Sequence, residues 1–180
     1  MAEPYGDKVV LRSRGMQAVG AGMVAASVVG LVSAFTDTGA TIAHYAPPTL
    51  LFGLLGWAAF WQPRVEVSDG GVTLVNTLRT IEVPWPAVQS VEGRYGLQLR
   101  TAYGAFTAWG ASAPSGRERR TARPSGAAAV VQQRLDALRE AGWLDDPRLE
   151  RPRAQVRWHG WLIGAMVALV VASVVPWLLA

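Results

Sequence analysis

Arg64-Val-Glu-Val-Ser-Asp-Gly-Gly-Val-Thr-Leu-Val-Asn-Thr-Leu-Arg-Thr-Ile-Glu-Val-Pro-Trp85 is the stretch that decides the fold. Val65 and Val67 alternate with Arg64, Glu66 and Ser68. Asp69-Gly70 follows, and Val72 and Leu74 then resume the alternation. Period-2 alternation marks half-buried strands, and Asp-Gly between two such runs marks a hairpin, because both residues tolerate positive φ. Asn76-Thr77 supplies a second turn, after which Ile81, Val83 and Trp85 share one face of a third strand. Pro84 and Pro86 flank Trp85 and end regular pairing there.

Outward from this stretch, Ala87 to Val91 reads as a short connector with Val88 and Val91 pointing inward. Leu97 and Leu99 begin another alternating strand, turned at Ala102–Gly104 and paired with Ala105 to Trp109. Residues 62–112 are therefore expected to form a meander of antiparallel strands. Residues 113–125 change character to Pro, Ser, Gly, Ala and Arg, the composition of a linker. From Gly126 a helix is expected to Ala141, with Ala127, Val131, Leu135 and Leu138 on one face and Gly142 at its C-cap. Such a helix needs an apolar surface to cover, and the strands offer one. Asp146-Pro147 breaks the chain within a juxtamembrane segment, residues 143–157.

Three long apolar stretches bracket this polar block. Gly15 to Phe35 has no charged side chain, Ile42 to Trp61 has only His44 as a readily titratable group, and Trp158 to Ala180 has only His159. A bilayer core of about 30 Å takes roughly 20 apolar residues in a helix. All three stretches meet that length, so residues 15–61 are expected to form a transmembrane hairpin and residues 158–180 a third span. Pro47 and Pro48 are expected at the start of the second helix, since the first turn tolerates proline. A cleaved signal peptide over Met1–Ala34 is the competing reading of the N-terminus, but the apolar run exceeds the usual length of about 7–15 residues. Lys8, Arg12 and Arg14 precede the first stretch, Arg64 follows the second, and Arg148, Arg151, Arg153 and Arg157 precede the third. The positive-inside rule then puts the N-terminal segment (residues 1–14) and the polar block in the cytoplasm and Ala180 outside. Trp57, Trp61, Trp158, Trp161 and Trp177 sit near the span ends, where amphipathic rings favour the headgroup level. Gly22, Ala26, Gly30 and Ala34 recur every four residues, as do Gly164, Ala168 and Ala172; small residues let helices approach closely. The first set is the candidate helix-packing face.

Strands followed by one amphipathic helix is the layout of a pleckstrin-homology-like barrel closed by a helix. The chain resembles the bacterial membrane-associated PH-domain family of the low molecular weight protein antigen 6 type. Val65-Glu-Val-Ser-Asp-Gly-Gly-Val72, Leu78-Arg-Thr-Ile-Glu-Val-Pro-Trp85, Val88, Val91, Leu97-Gln-Leu-Arg100 and Phe106-Thr-Ala-Trp-Gly-Ala-Ser112 carry the resemblance. It covers roughly residues 62–142 and the preceding membrane hairpin. It implies a PH-like fold beside a membrane hairpin, a bacterial plasma-membrane location, and no established catalytic residues. The expected fold class is three transmembrane helices around a PH-like antiparallel β-barrel or roll with a C-terminal amphipathic helix.

The residues point to no catalytic chemistry. Cysteine is absent, which excludes thiolate metal sites and Cys nucleophiles. Neither His lies in the polar block, its carboxylates are scattered, and no phosphate loop appears. Glu66 and Glu82 alternate away from the apolar face and read as solvated strand residues, and Asp69 reads as a turn residue. No cofactor or metal is expected. The net charge is +4, but Arg crowds near the membrane ends, so membrane orientation explains it better than nucleic-acid binding. Arg117, Arg119, Arg120 and Arg123 are the candidate contact for anionic headgroups, at about 1 kcal/mol per basic residue near a surface; a solvated loop is the plainer reading. The expected function is a membrane-anchored interaction or scaffold module that binds a protein segment or lipid headgroup at the cytoplasmic face. The expected partners are the bilayer, an anionic lipid, and an unidentified membrane or cytoplasmic protein. The alternative is a structural subunit that meets its partners through the spans.

Overall fold

The computed structural model describes residues 8–36, 39–93, 96–110, 126–144 and 152–178. In chain order the elements are strand β1 (Val9–Leu11), helix α1 (Arg14–Phe35), helix α2 (Gly39–Gly56) continuing as a π-helical segment (Trp57–Trp61), and strands β2 (Arg64–Val67), β3 (Gly71–Val75) and β4 (Arg79–Pro84). A 3₁₀ turn (Trp85–Ala87) leads into β5 (Val88–Glu92), β6 (Gln98–Thr101) and β7 (Gly104–Thr107). Helix α3 (Ala127–Glu140), strand β8 (Gln155–Trp158) and helix α4 (Gly160–Leu178) complete the chain. They group into two compact units, one of strands with α3 and one of α1, α2 and α4.

The strand unit has two sheets, in the orders β1-β2-β3-β4-β8 and β5-β6-β7. The Asp69-Gly70 hairpin forms as expected, with Val67 opposite Val72 and Val65 opposite Leu74. Val65, Val67, Val72, Leu74, Ile81, Val83, Leu97 and Leu99 are buried between the sheets. Val131 and Leu135 of α3 join the same core. The amphipathic face read from the sequence is thus the face that packs. Helix α3 ends in a Schellman motif. Gly142 adopts φ 71°, its N–H donates to the Arg139 carbonyl, and the Trp143 N–H donates to the Leu138 carbonyl.

Three features of this unit depart from the sequence reading. Residues 88–92 are a strand rather than a connector. Val88 pairs with Thr101 and Ser90 with Arg100, which leaves Gln89 as a bulge. The extra residue re-phases the strand so that Val88 and Val91, three apart, both turn inward. The flanking segments also contribute strands. Within the N-terminal segment β1 pairs antiparallel with β2, Val9 opposite Val67 and Leu11 opposite Val65, and β8 closes the far edge beside β4. Glu66, finally, is not a solvated strand residue, because two cations enclose its carboxylate.

In the helical unit, α1 and α2 form an antiparallel hairpin. A Cβ on Gly20 would meet the Gly56 carbonyl at 3.1 Å, one on Gly30 would meet Thr49 Cγ2 at 3.1 Å, and one on Gly53 would lie 2.5 Å from Ser27 Oγ. The contact stripe of α1 is therefore Gly20, Met23, Ser27, Gly30 and Ala34, in alternating steps of three and four. The every-four set does not share it: Gly30 and Ala34 face the seam, whereas Gly22 and Ala26 are exposed. A step of four overshoots a full turn by about 40°, so four such residues fan across the helix surface. Gly164, Ala168 and Ala172 of α4 are likewise exposed, while Leu162 is fully buried. Pro47 and Pro48 lie inside α2, which starts at Gly39 and not at the prolines. The Thr49 hydroxyl donates to the Tyr45 carbonyl and the Ser27 hydroxyl to the Thr49 carbonyl, the kind of side-chain support that accompanies proline within packed helices. Among the described residues one helix, α1, is both long and apolar enough to cross a membrane; Gly160–Pro176 of α4 is apolar but shorter.

Candidate functional site

A concavity lies where the β2–β3 hairpin meets α3. Trp85 fixes the hairpin from beneath. Its ring is buried, at 2% exposure, and its Nε1–H donates to the Ser68 carbonyl at 2.8 Å. Gly71 leaves no room for a side chain: a Cβ there would collide with the Val83 carbonyl and lie 2.8 Å from Pro84 Cα. The hairpin, the 3₁₀ turn and the end of β4 are thereby locked together, which gives a physical reason for Val83-Pro-Trp85 to follow an Asp-Gly turn.

Helix α3 is pinned at two points. Arg134 donates to the Asp69 carboxylate at the hairpin tip, and Arg139 Nη2 donates to the Gln89 carbonyl on the β5 bulge at 2.9 Å. Asp69 is thus more than a turn former. Beside the first pin lies a cleft of about 430 Å³ lined by Val9, Val67, Ser68, Asp69, Val130, Gln133, Arg134 and Ala137. Val9, Val67, Val130 and Ala137 make one apolar wall. Its cation, Arg134, is already engaged by Asp69.

Next to the cleft, β1 is secured by charge. Lys8 Nζ lies 2.7 Å from one oxygen of Glu66 and Arg64 Nε lies 2.6 Å from the other, while the Glu66 side chain is only 12% exposed. Burial alone would raise the carboxyl pKa, but the hydrogen bonds and positive charges of Lys8 and Arg64 outweigh it and hold the group below its ordinary value of 4.5. This is a structural cluster that ties the N-terminal strand to the sheet.

Arg117, Arg119, Arg120 and Arg123, the candidate headgroup contacts, lie outside the described residues. Trp109 and Trp143 are both exposed. His159 Nδ1 sits 3.1 Å from Gln62 Nε2, and among the described residues no group of three His, Asp or Glu is placed to hold a metal ion. Trp57 and Trp161 pack their rings 6.1 Å apart within the helical unit, and Trp161 is still exposed, as are Trp61 and Trp158. Sequence reasoning used Lys8 only as a basic residue before the first apolar stretch, and missed its ion pair with Glu66 and the strand role of Val9. Their signal was the β-branched pair Val9-Val10 between two basic residues, too short to assign without its partner strand.

Residues 62–142 match the family model described as Bacterial PH domain. No curated protein and no solved structure matches the chain. The match runs from the residue before Pro63 to the helix-capping Gly142, so it takes in β2 to β7 and α3 and leaves β1, β8 and the apolar helices outside. Two antiparallel sheets with α3 packed across their core agree with it, and over residues 62–142 this chain is a bacterial PH domain.

Proposed function

We propose that the protein is a membrane-anchored PH-like interaction module that binds an extended protein segment in the cleft between the β2–β3 hairpin and α3, and acts without catalysis. The observation that carries this reading is the composition of the cleft. Val9, Val67, Val130 and Ala137 offer an apolar strip beside a strand edge, and Ser68 and Gln133 offer hydrogen-bonding groups. Apolar pockets for side chains next to an open edge are how β-strand addition selects a peptide. A lipid headgroup fits the cleft less well, because phosphate recognition calls for several convergent donors and Arg134 is committed to Asp69.

In this reading α1, α2 and α4 anchor the chain in a bacterial plasma membrane, with the N-terminus and the PH domain cytoplasmic and the C-terminus outside. The apolar character of α1 and the Arg bias support it. A photo-crosslinking residue at Gln133, in full-length protein in native membranes, tests the binding role. Adducts at Gln133 that disappear with Val130→Glu and are absent from a crosslinker at Tyr103 are expected. Adducts insensitive to Val130→Glu would sink it. A second reading, a structural subunit contacting partners through its spans, draws on the exposed faces of Gly22 and Ala26 on α1 and Gly164, Ala168 and Ala172 on α4. Adducts confined to crosslinkers at Ala168 would favour it.

A further inference from the structure

The end of the strand unit opposite the cleft is built differently. Leu11 lies across from Val65, three residues before α1 begins. At the same end Gly110 sits against the start of β2, since a Cβ there would lie 2.5 Å from the Pro63 carbonyl carbon. Asn76 clamps the neighbouring chain. Its Nδ2 donates to the Thr107 carbonyl at 2.9 Å, and its Oδ1 accepts from the Trp109 N–H at 2.7 Å. The Trp109 backbone is thus held by Asn76 while the residue is 60% exposed, and Leu78 on the β3–β4 turn is 37% exposed. Arg12 and Arg79 belong to the same end.

Pro63 follows directly on Gln62, which caps the helical run ending at the exposed Trp61. Consecutive Cα atoms are about 3.8 Å apart. With Gly110 touching Pro63, the Trp109 backbone stays within about 10 Å of that junction whatever angle the junction adopts. A well-exposed Trp with an apolar neighbour and flanking Arg is the residue set that favours the headgroup layer. We propose that Trp109, with Leu78 beside it, dips into the headgroup layer of the membrane that holds the helices, while the exposed Arg12 meets its phosphates. This rests on the anchor reading above. The tether already recruits the domain, so the contact orients it. Ser68 and Asp69 lie at the far end of β2, roughly 15 Å along the strand from Arg64 at about 3.3 Å per residue, so the docked domain presents its cleft to the cytosol.

Absence of cysteine makes any introduced Cys a unique labelling site. Nitroxide labels at Leu78→Cys, Val29→Cys and Gln133→Cys would be placed one at a time in the full chain. Each is reconstituted in vesicles of phosphatidylcholine with phosphatidylglycerol, and relaxation by oxygen is compared with relaxation by an aqueous nickel chelate. The Leu78→Cys label should favour oxygen relative to Gln133→Cys, and Trp109→Gln should abolish that preference. A Leu78→Cys label that reads aqueous while Val29→Cys reads lipid overturns the contact and leaves the anchor standing. An aqueous Val29→Cys label removes the anchor itself. Protection of Leu78→Cys from both agents would mean that a protein covers this end, and persistence of the oxygen preference in Trp109→Gln would deny Trp109 its role; either result overturns the proposal.

Discussion

Replacing Trp85 with Phe should destabilise the strand unit far more than the same change at either exposed tryptophan. Trp85 is buried, and its Nε1–H donates to the Ser68 carbonyl. Phe keeps most of the apolar contact but removes the donor. That carbonyl is only partly shielded, so losing the bond costs about 1 kcal/mol, the net value of an ordinary hydrogen bond. The indole also has two more ring carbons than phenyl, at about 0.8 kcal/mol for each buried methylene-sized group. The total is about 2–3 kcal/mol, equivalent to a fall of roughly 10–20 °C in Tm for a domain of this size. Pulse proteolysis in a urea series, on the full chain in detergent micelles, measures the change. Trp109→Phe and Trp143→Phe are the comparators, because surface substitutions usually stay within about 0.5 kcal/mol. If Trp85→Phe were no worse than these two, the hairpin lock would not be what holds the β2–β3 turn against β4.

Three further outcomes follow from the contacts. Glu66 has a folded-state pKa below its ordinary 4.5, so it stabilises the fold above that value and the contribution is lost as pH falls through the lowered pKa; Glu66→Gln should flatten the acid limb of a stability–pH profile and loosen β1, read by amide exchange at Val10. Gly53→Ala should cost the α1–α2 hairpin about 1–3 kcal/mol through overpacking against Ser27, whereas Gly22→Ala, with nothing within 4 Å of its Cβ, should be neutral; equal losses in a steric-trap unfolding assay would put the seam elsewhere. A phosphatase reporter that works only outside the cytoplasm should be active when fused after Ala180 and silent when fused within the linker at Ser115, and the reverse pattern would refute the proposed topology.

Local signals were legible in the sequence and distant ones were not. The Asp69-Gly70 turn, the Ile81–Val83–Trp85 face and the α3 stripe each declare themselves within a few residues, because turn chemistry and periodicity act over that range. The β5 bulge was hidden because one unpaired residue, Gln89, breaks the alternation that a strand reading needs. β1 was hidden because three residues have no pattern apart from a partner more than 50 positions away. The cleft suffered from the same distance: Asp69 looked complete as a turn residue, and its ion pair with Arg134 spans 65 residues. In the helices, small residues advertised close packing but not its phase. The seam follows the mean helical repeat, with Met23 and Ser27 on it and Gly22 and Ala26 off it.

β1 ends and β2 begins side by side, Leu11 opposite Val65, and all of α1 and α2 lies between them in the chain. The helical pair is therefore spliced into what would otherwise be an ordinary β-hairpin, in the place of its turn. Such an insert is modular. Joining Arg12 to Arg64 through an Asn-Gly turn would bridge neighbouring strand ends without rerouting any other segment. The strand unit and its helical pair are thus separable by one excision, because the inserted piece leaves and rejoins the sheet at neighbouring strand ends.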